Sequence, residues 1–136
     1  MVATQSGLPD RIGHEGRRLS GQTSYHAGYA AEAAVANRYS QLGLTVAQRR
    51  WRHAEGEVDL ILRDGATVVF VEVKKSRTFA KAAARLTRHQ MNRLCAAATA
   101  FVADEPAGQL TEMRFDLALV DAQGAVEIIE NAFGEA

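Results

Sequence analysis

The chain is expected to fold as one α/β domain, a mixed β-sheet flanked by helices in the order α-β-β-β-α-β-β. Three observations carry that expectation. Residues 57–75, EVDLILRDGATVVFVEVKK, read as two apolar strands around an Asp-Gly pair. Two Ala-rich segments with helical spacing lie on either side of the first strands. Two further alternating runs follow the second of them.

Residues 1–24 are polar, rich in Gly, Ser and Arg, and show neither a helical nor a strand period, so a flexible tail is expected there. The domain is then 25–136. Residues 27–42 are Ala-rich and end at Gly43, a natural helix stop. Residues 44–51 (LTVAQRRW) read as a strand, and 57–63 and 67–74 as a hairpin. A long second helix is expected over 79–102, ending before Pro106 and Gly108. Strands over 112–120 and 125–129 close the chain, with Gly124 in the turn between them.

The 136 residues suffice for one domain without covalent staples. The single cysteine, Cys95, excludes an internal disulfide and any multi-cysteine metal site, and is expected as a buried, inert thiol. No segment is long and apolar enough to span a bilayer, and the N-terminus lacks a signal-peptide block. A cytoplasmic protein with no membrane partner is the simplest expectation. Net charge is zero but segregated. Residues 74–103 hold seven Lys or Arg and no acid, whereas 104–136 hold eight acids and one base, Arg114. Such a chain can present a basic face to a polyanion, or simply two solvated ends.

Glu57, Asp59, Glu72 and Lys74 are charged residues in otherwise apolar strands. A two-residue Asp64-Gly65 loop sets Glu57 opposite Glu72, and a four-residue loop sets Asp59 opposite Glu72. Either even loop puts all four on one face. The other face would be Val58, Leu60, Leu62, Val69, Val71 and Val73, suited to a helix. Opposed carboxylates about 5 Å apart repel by roughly 3 kcal/mol at an effective dielectric near 20. A divalent cation reverses that sign, and a few oxygen ligands suit Mg²⁺ or Mn²⁺. A metal-binding carboxylate pair beside an ammonium group is what phosphodiester hydrolysis requires. The alternative is a polar sheet face in water.

On the first helix Gly28, Glu32, Val35, Tyr39 and Leu42 share one stripe, so Glu32 faces the sheet as a site residue or as a boundary glutamate. On the second helix Gln90 sits inside the stripe Ala83, Leu86, Leu94, Ala97 and Phe101. It must bond a backbone group, or hold a water or phosphate. Lys81, Arg85, Arg88 and Asn92 line another side of that helix, with His89 and Arg93 beside them. Together with Arg49, Arg50 and Arg52 around Trp51 they make two basic patches suited to phosphate. Asp116 is expected in a structural pairing, with Arg114 as partner. The four histidines match no zinc spacing. Neither a Ser-His-Asp arrangement nor a phosphate-cradling glycine loop occurs, and no small-molecule organic cofactor is expected.

Asp59 followed by Glu72-Val73-Lys74 resembles the PD-(D/E)xK nuclease signature. The wider set is more specific: Glu57-Val58-Asp59-Leu60-Ile61, Val69 to Lys74, Arg114-Phe115-Asp116 and Asn131-Ala132-Phe133, with Gly28 to Tyr39 and Arg50-Trp51-Arg52. Together they resemble the YraN family of predicted bacterial endonucleases, related to Holliday-junction resolvases, over about 28–133. The chain departs from that pattern in Lys75-Ser76 before Arg77, in Phe79-Ala80-Lys81, and in Ala31-Glu32. The resemblance implies a restriction-endonuclease-like fold and a Mg²⁺- or Mn²⁺-dependent endonuclease acting on branched or structured DNA. Asp59 and Glu72 would bind metal, Lys74 would orient or activate water, and Glu32, a first-helix glutamate as in related resolvases, would complete the metal's shell. Gln90 would assist, and Lys75 and Arg77 would join the basic patches on DNA. A non-catalytic nucleic-acid-binding module of the same fold, or a nuclease acting on RNA, are the rival readings. The two-fold symmetry of a four-way junction would suit a homodimer.

Overall fold

A computed structural model describes residues 16–54 and 56–133, with side chains from residue 28 onward. The part of the expected tail before residue 16 lies outside the described residues. The elements are α1 (Gly16–Gln41), β1 (Thr45–His53), β2 (Gly56–Asp64), β3 (Thr67–Lys75), α2 (Phe79–Ala84), α3 (Arg88–Val102), a short 3₁₀ turn (Gly108–Leu110), β4 (Met113–Val120) and β5 (Val126–Ile129). The first helix therefore starts at Gly16 rather than near residue 27, so residues 16–24 are helical. The chain divides into a unit ending at Ala30 and a domain beginning at Ala31.

The domain is a mixed α/β fold with one five-stranded sheet in the order β1-β2-β3-β4-β5, consistent with a restriction-endonuclease-like architecture. Every neighbouring pair is antiparallel except β3 and β4, which run parallel. Parallel neighbours need a crossover, and α2 and α3 form it. Central β3 is fully buried from Val68 to Val71, as its unbroken Val-Val-Phe-Val run requires.

Helices cover both faces. Ala31, Val35, Ala36 and Tyr39 of α1 pack on Leu60, Leu62, Val69, Val71, Ala118 and Val120. Leu94, Ala97, Ala98 and Val102 of α3 pack on Ile61, Val68 and Phe70. Beside α3 on that second face, Phe79, Ala82 and Ala83 of α2 cover Leu117 and Leu119. α1 ends where expected, since Gly43 adopts φ +94° and lets the Leu44 and Gly43 amides donate back to the Tyr39 and Ser40 carbonyls. Leu42, expected on the buried stripe, lies beyond the helix and is 58% exposed.

The expected helix over 79–102 is two helices. Arg85 to Thr87 interrupt it, and Thr87 starts α3 with a capping box: its hydroxyl accepts from the Gln90 amide while Gln90 Oε1 accepts from the Thr87 amide. Cys95, expected buried, is exposed on α3.

Candidate active site

The β2–β3 register settles the hairpin alternatives. Asp64 pairs with Thr67 and Leu60 with Val71, which sets Asp59 opposite Glu72, the register expected of the four-residue loop, although the turn itself is the two residues Gly65-Ala66. Gly65, at φ +62°, opens the turn. The ladder stops at Leu60 and Val71. Beyond it the Val73 amide has lost its strand partner, and Asp59 Oδ2 accepts it at 2.8 Å. A buried amide left unpaired is costly, so this bond fixes the Asp59 carboxylate across the gap between the strands.

Two irregularities create the gap. Val58 belongs to the α3 cluster and Leu60 to the α1 cluster, although residues two apart on a regular strand share a face. Val58 is thus a correction to the single apolar face expected to lie under one helix. Opposite Asp59 on β1 lies Arg50, at φ +49°. A non-glycine residue in that region stores roughly 1–3 kcal/mol, and such strain gathers at functional sites. Arg50 Nε donates to Glu32 Oε1 at 2.8 Å, which holds the strained turn against α1.

Alternation along β3 puts Val69, Val71 and Val73 under α1 and leaves Glu72 and Lys74 on the face of Phe70, toward α3. Lys74 Nζ lies 3.1 Å from Glu72 Oε2, with both side chains about nine-tenths covered. A cleft of about 270 Å³ opens here, lined by Glu57, Asp59, Glu72, Gln90 and Arg93. Gly56 is what lets α3 come so close: a Cβ there would lie 2.8 Å from the Arg93 carbonyl oxygen.

Burial is the main influence on these acids. Desolvation and the charge of Asp59 push the Glu72 carboxyl up to about 7. Asp59 is raised by desolvation and by Glu57, against the lowering effect of the Val73 amide. Desolvation also raises Glu32, opposed by its bond to Arg50. Buried carboxylates that resist ionisation are the condition a divalent cation relieves. Mg²⁺ and Mn²⁺ take oxygen donors and need only one or two protein carboxylates, keeping waters and substrate oxygens for the rest. Asp59 and Glu72 fit that demand. Among the described residues no three His, Cys, Asp or Glu side chains converge on a common metal position. Glu32, expected as a third metal carboxylate, is engaged by Arg50 and does not line the cleft, yet it lies near enough to Asp59 and Glu57 for their charges to raise it further.

The other expected residues are partly gathered. Gln90 reaches the cleft, yet its Oε1 is used in the capping box, which leaves Nε2 as its remaining donor. Lys81, Arg85 and Arg88 do not form one helical stripe, because the break separates α2 from α3. Arg85 instead donates to the Lys75 carbonyl at 2.7 Å, tying the break to the end of β3. Arg49 is exposed, and Arg52 lies 3.5 Å from Glu57 at the cleft rim. Lys75 is half-buried at the end of β3, and Arg77 is exposed in the loop after it. Trp51 packs edge-on against Phe101 and stacks on His53.

Asp116 is the structural residue expected. It is fully buried and accepts from Tyr39 Oη at 2.6 Å, from Arg114 through two nitrogens and from the Asn131 amide. Tyr39 as its partner went unforeseen, as did the approach of Arg93 to the acids; each depends on helix placement.

Over residues 31–120 the chain matches the uncharacterised protein family UPF0102. It is 63% identical over 115 residues to a UPF0102 protein of Cereibacter sphaeroides strain KD131, covering 85% of this chain and 98% of that one. A UPF0102 protein of Ruegeria pomeroyi is 57% identical over 114 residues, covering 84% and 93%. One of Roseobacter denitrificans is 53% identical over 116 residues, covering 85% and 90%.

Proposed function

We propose that this chain, which belongs to the uncharacterised protein family UPF0102, is a metal-dependent endonuclease that hydrolyses phosphodiester bonds in DNA. Branched or otherwise structured DNA is the favoured substrate class. One observation carries the reading: Asp59, Glu72 and Lys74 are held together where β2 leaves β3, beside a cleft in which burial desolvates the Asp59 and Glu72 carboxyls.

Asp59 and Glu72 would hold Mg²⁺ or Mn²⁺, which when bound supplies Lewis-acid polarisation of the phosphoryl group and neutralises its charge. The remaining work falls to the chain itself. Asp59 is oriented by the Val73 amide, so its position does not depend on a flexible side chain. The Lys74 ammonium, beside Glu72, can donate to an attacking water and to the phosphoryl oxygens as negative charge builds on them. The Gln90 amide can donate to the same oxygens from the α3 side of the cleft. Exposed Arg49, Arg77, Lys81 and Arg88 supply sequence-independent contacts to the phosphate backbone. Two copies acting on a two-fold-symmetric junction would place two such clefts on one substrate.

The test is cleavage of a panel of duplex, flap, four-way-junction and single-stranded DNA, with matched RNA, in Mg²⁺ or Mn²⁺. Metal-dependent scission of structured DNA is expected. Binding of all substrates without scission would replace the reading with that of a nucleic-acid-binding module. Preferential cutting of RNA would replace the substrate.

A further inference from the structure

Arg93 stands apart from the other cations near the cleft. Lys74 is engaged by Glu72, Arg52 by Glu57 and Arg50 by Glu32. Among the described residues the Arg93 guanidinium makes no ion pair or hydrogen bond, although it lines a cleft with three carboxylates. Its backbone, by contrast, is tightly constrained. The Arg93 carbonyl and Cβ lie within 3.3 Å of where a Cβ on Gly56 would stand, so α3 is pressed onto the start of β2 at this residue. The helix therefore presents the Arg93 side chain at the mouth of the cleft from a fixed point, one turn beyond Gln90.

We infer that Arg93 is a phosphate-binding residue of this cleft, its guanidinium gripping the non-bridging oxygens of the phosphodiester that enters between α3 and the carboxylates. The inference rests on the nuclease reading only in naming the anion a phosphodiester. An acid-lined cleft repels a polyanion, and a cation that engages none of those acids is free to meet the incoming phosphate. A planar guanidinium suits two phosphate oxygens at once, which an ammonium does not. Arg88 is exposed on the preceding turn of α3 and does not line the cleft, so it serves as a control for general surface charge.

The experiment compares Arg93→Ala, Arg93→Lys and Arg88→Ala with wild type. Fluorescence anisotropy measures binding of a labelled four-way-junction DNA with Ca²⁺ present, over a salt series, and cleavage is followed separately in Mg²⁺. Alanine keeps the carbonyl and Cβ that touch Gly56, so Arg93→Ala should melt as wild type does. It should weaken Ca²⁺-dependent binding about 10- to 100-fold, the range for losing charge-assisted hydrogen bonds. Arg93→Lys should recover only part of that loss, and Arg88→Ala should lose clearly less than Arg93→Ala. Adding Glu72→Gln should shrink the Arg93→Ala effect, because both act on the same bound phosphate. Equal losses in Arg93→Ala and Arg88→Ala, or full rescue by lysine, would overturn the inference by making Arg93 ordinary surface charge. If wild type cleaves and Arg93→Ala cleaves and binds equally well, the inference fails while the nuclease reading stands. If wild type binds but never cleaves, and Arg93→Ala still loses Ca²⁺-dependent binding, the nuclease reading fails and the assignment of Arg93 stands. Failure of wild type to bind DNA overturns both.

Discussion

Removing the charge of Glu72 should stabilise the metal-free protein, by an amount that grows between about pH 4.5 and about pH 7. The carboxyl is pushed up to about 7 from its ordinary 4.5 by desolvation and by Asp59. A raised value in the folded state means that folding favours the protonated form. Its stabilising contribution is complete below about 4.5 and is lost as pH rises through about 7. At 1.36 kcal/mol per pH unit the loss amounts to about 3 kcal/mol at pH 8. For a domain of this size that is a fall in Tm of roughly 10 °C. Glu72→Gln keeps the shape and removes the ionisation. In EDTA, thermal melts of wild type and Glu72→Gln should nearly coincide at pH 5, with the variant melting roughly 10 °C higher at pH 8. Comparing the two proteins cancels other titrating groups, such as Glu105, whose carboxyl is lowered by Arg63. Millimolar Mg²⁺ at pH 8 should raise wild type and leave the variant nearly unchanged. A difference between the two proteins that is the same at pH 5 and pH 8 would mean that Glu72 ionises as freely in the folded protein as in the unfolded chain, against this prediction.

Asp59→Asn should abolish cleavage while leaving DNA affinity in EDTA unchanged or improved, because a negative charge beside phosphate has gone; retained turnover would remove Asp59 from the site. Gly56→Ala should cost roughly 1–3 kcal/mol in a urea titration, since its Cβ would meet the Arg93 carbonyl, a backbone atom with little room to yield, at 2.8 Å; a neutral result would mean that α3 can shift freely. Asp116→Asn should cost about 1–3 kcal/mol by the same measurement, as the buried carboxylate that accepts from Tyr39, Arg114 and the Asn131 amide would become a neutral amide with one acceptor oxygen, and wild-type stability would show the network to be dispensable. Glu32→Gln should slow cleavage much less than Asp59→Asn, because Glu32 acts through Arg50; equal loss in the two variants would return it to the metal's own shell.

What the sequence made legible is tied to short-range chemistry. Alternation around the Asp64-Gly65 turn put Asp59, Glu72 and Lys74 together before any strand was placed, because an even loop fixes the shared face whatever its exact length. The choice between the two registers was not legible, since it depends on whether Asp64 turns or pairs. The break between α2 and α3 was written in Thr87-x-x-Gln90, a capping-box pattern inside an otherwise continuous helical stripe. Reading Gln90 only as a buried polar residue concealed it. The left-handed Arg50 had no local signal, as glycine or asparagine is the usual occupant of such a position. Its conformation is held by tertiary structure, including Glu32 on a helix that begins well before β1 in the chain. The approach of Arg93 to the acids likewise depends on Gly56 and α3 meeting across more than thirty residues of chain.

If Asp59, Glu72 and Lys74 form one metal-dependent hydrolytic site, single-turnover cleavage depends on all three and on the metal. A labelled four-way-junction DNA would be incubated with excess wild type, Asp59→Asn, Glu72→Gln or Lys74→Met, each with Mg²⁺ and with EDTA. Wild type should cut only with Mg²⁺, and all three variants should lose cleavage by at least about 100-fold while still binding the junction, the scale at which one catalytic group is removed. Cleavage by wild type in EDTA, or undiminished cleavage by any of the three variants in Mg²⁺, would contradict that site assignment.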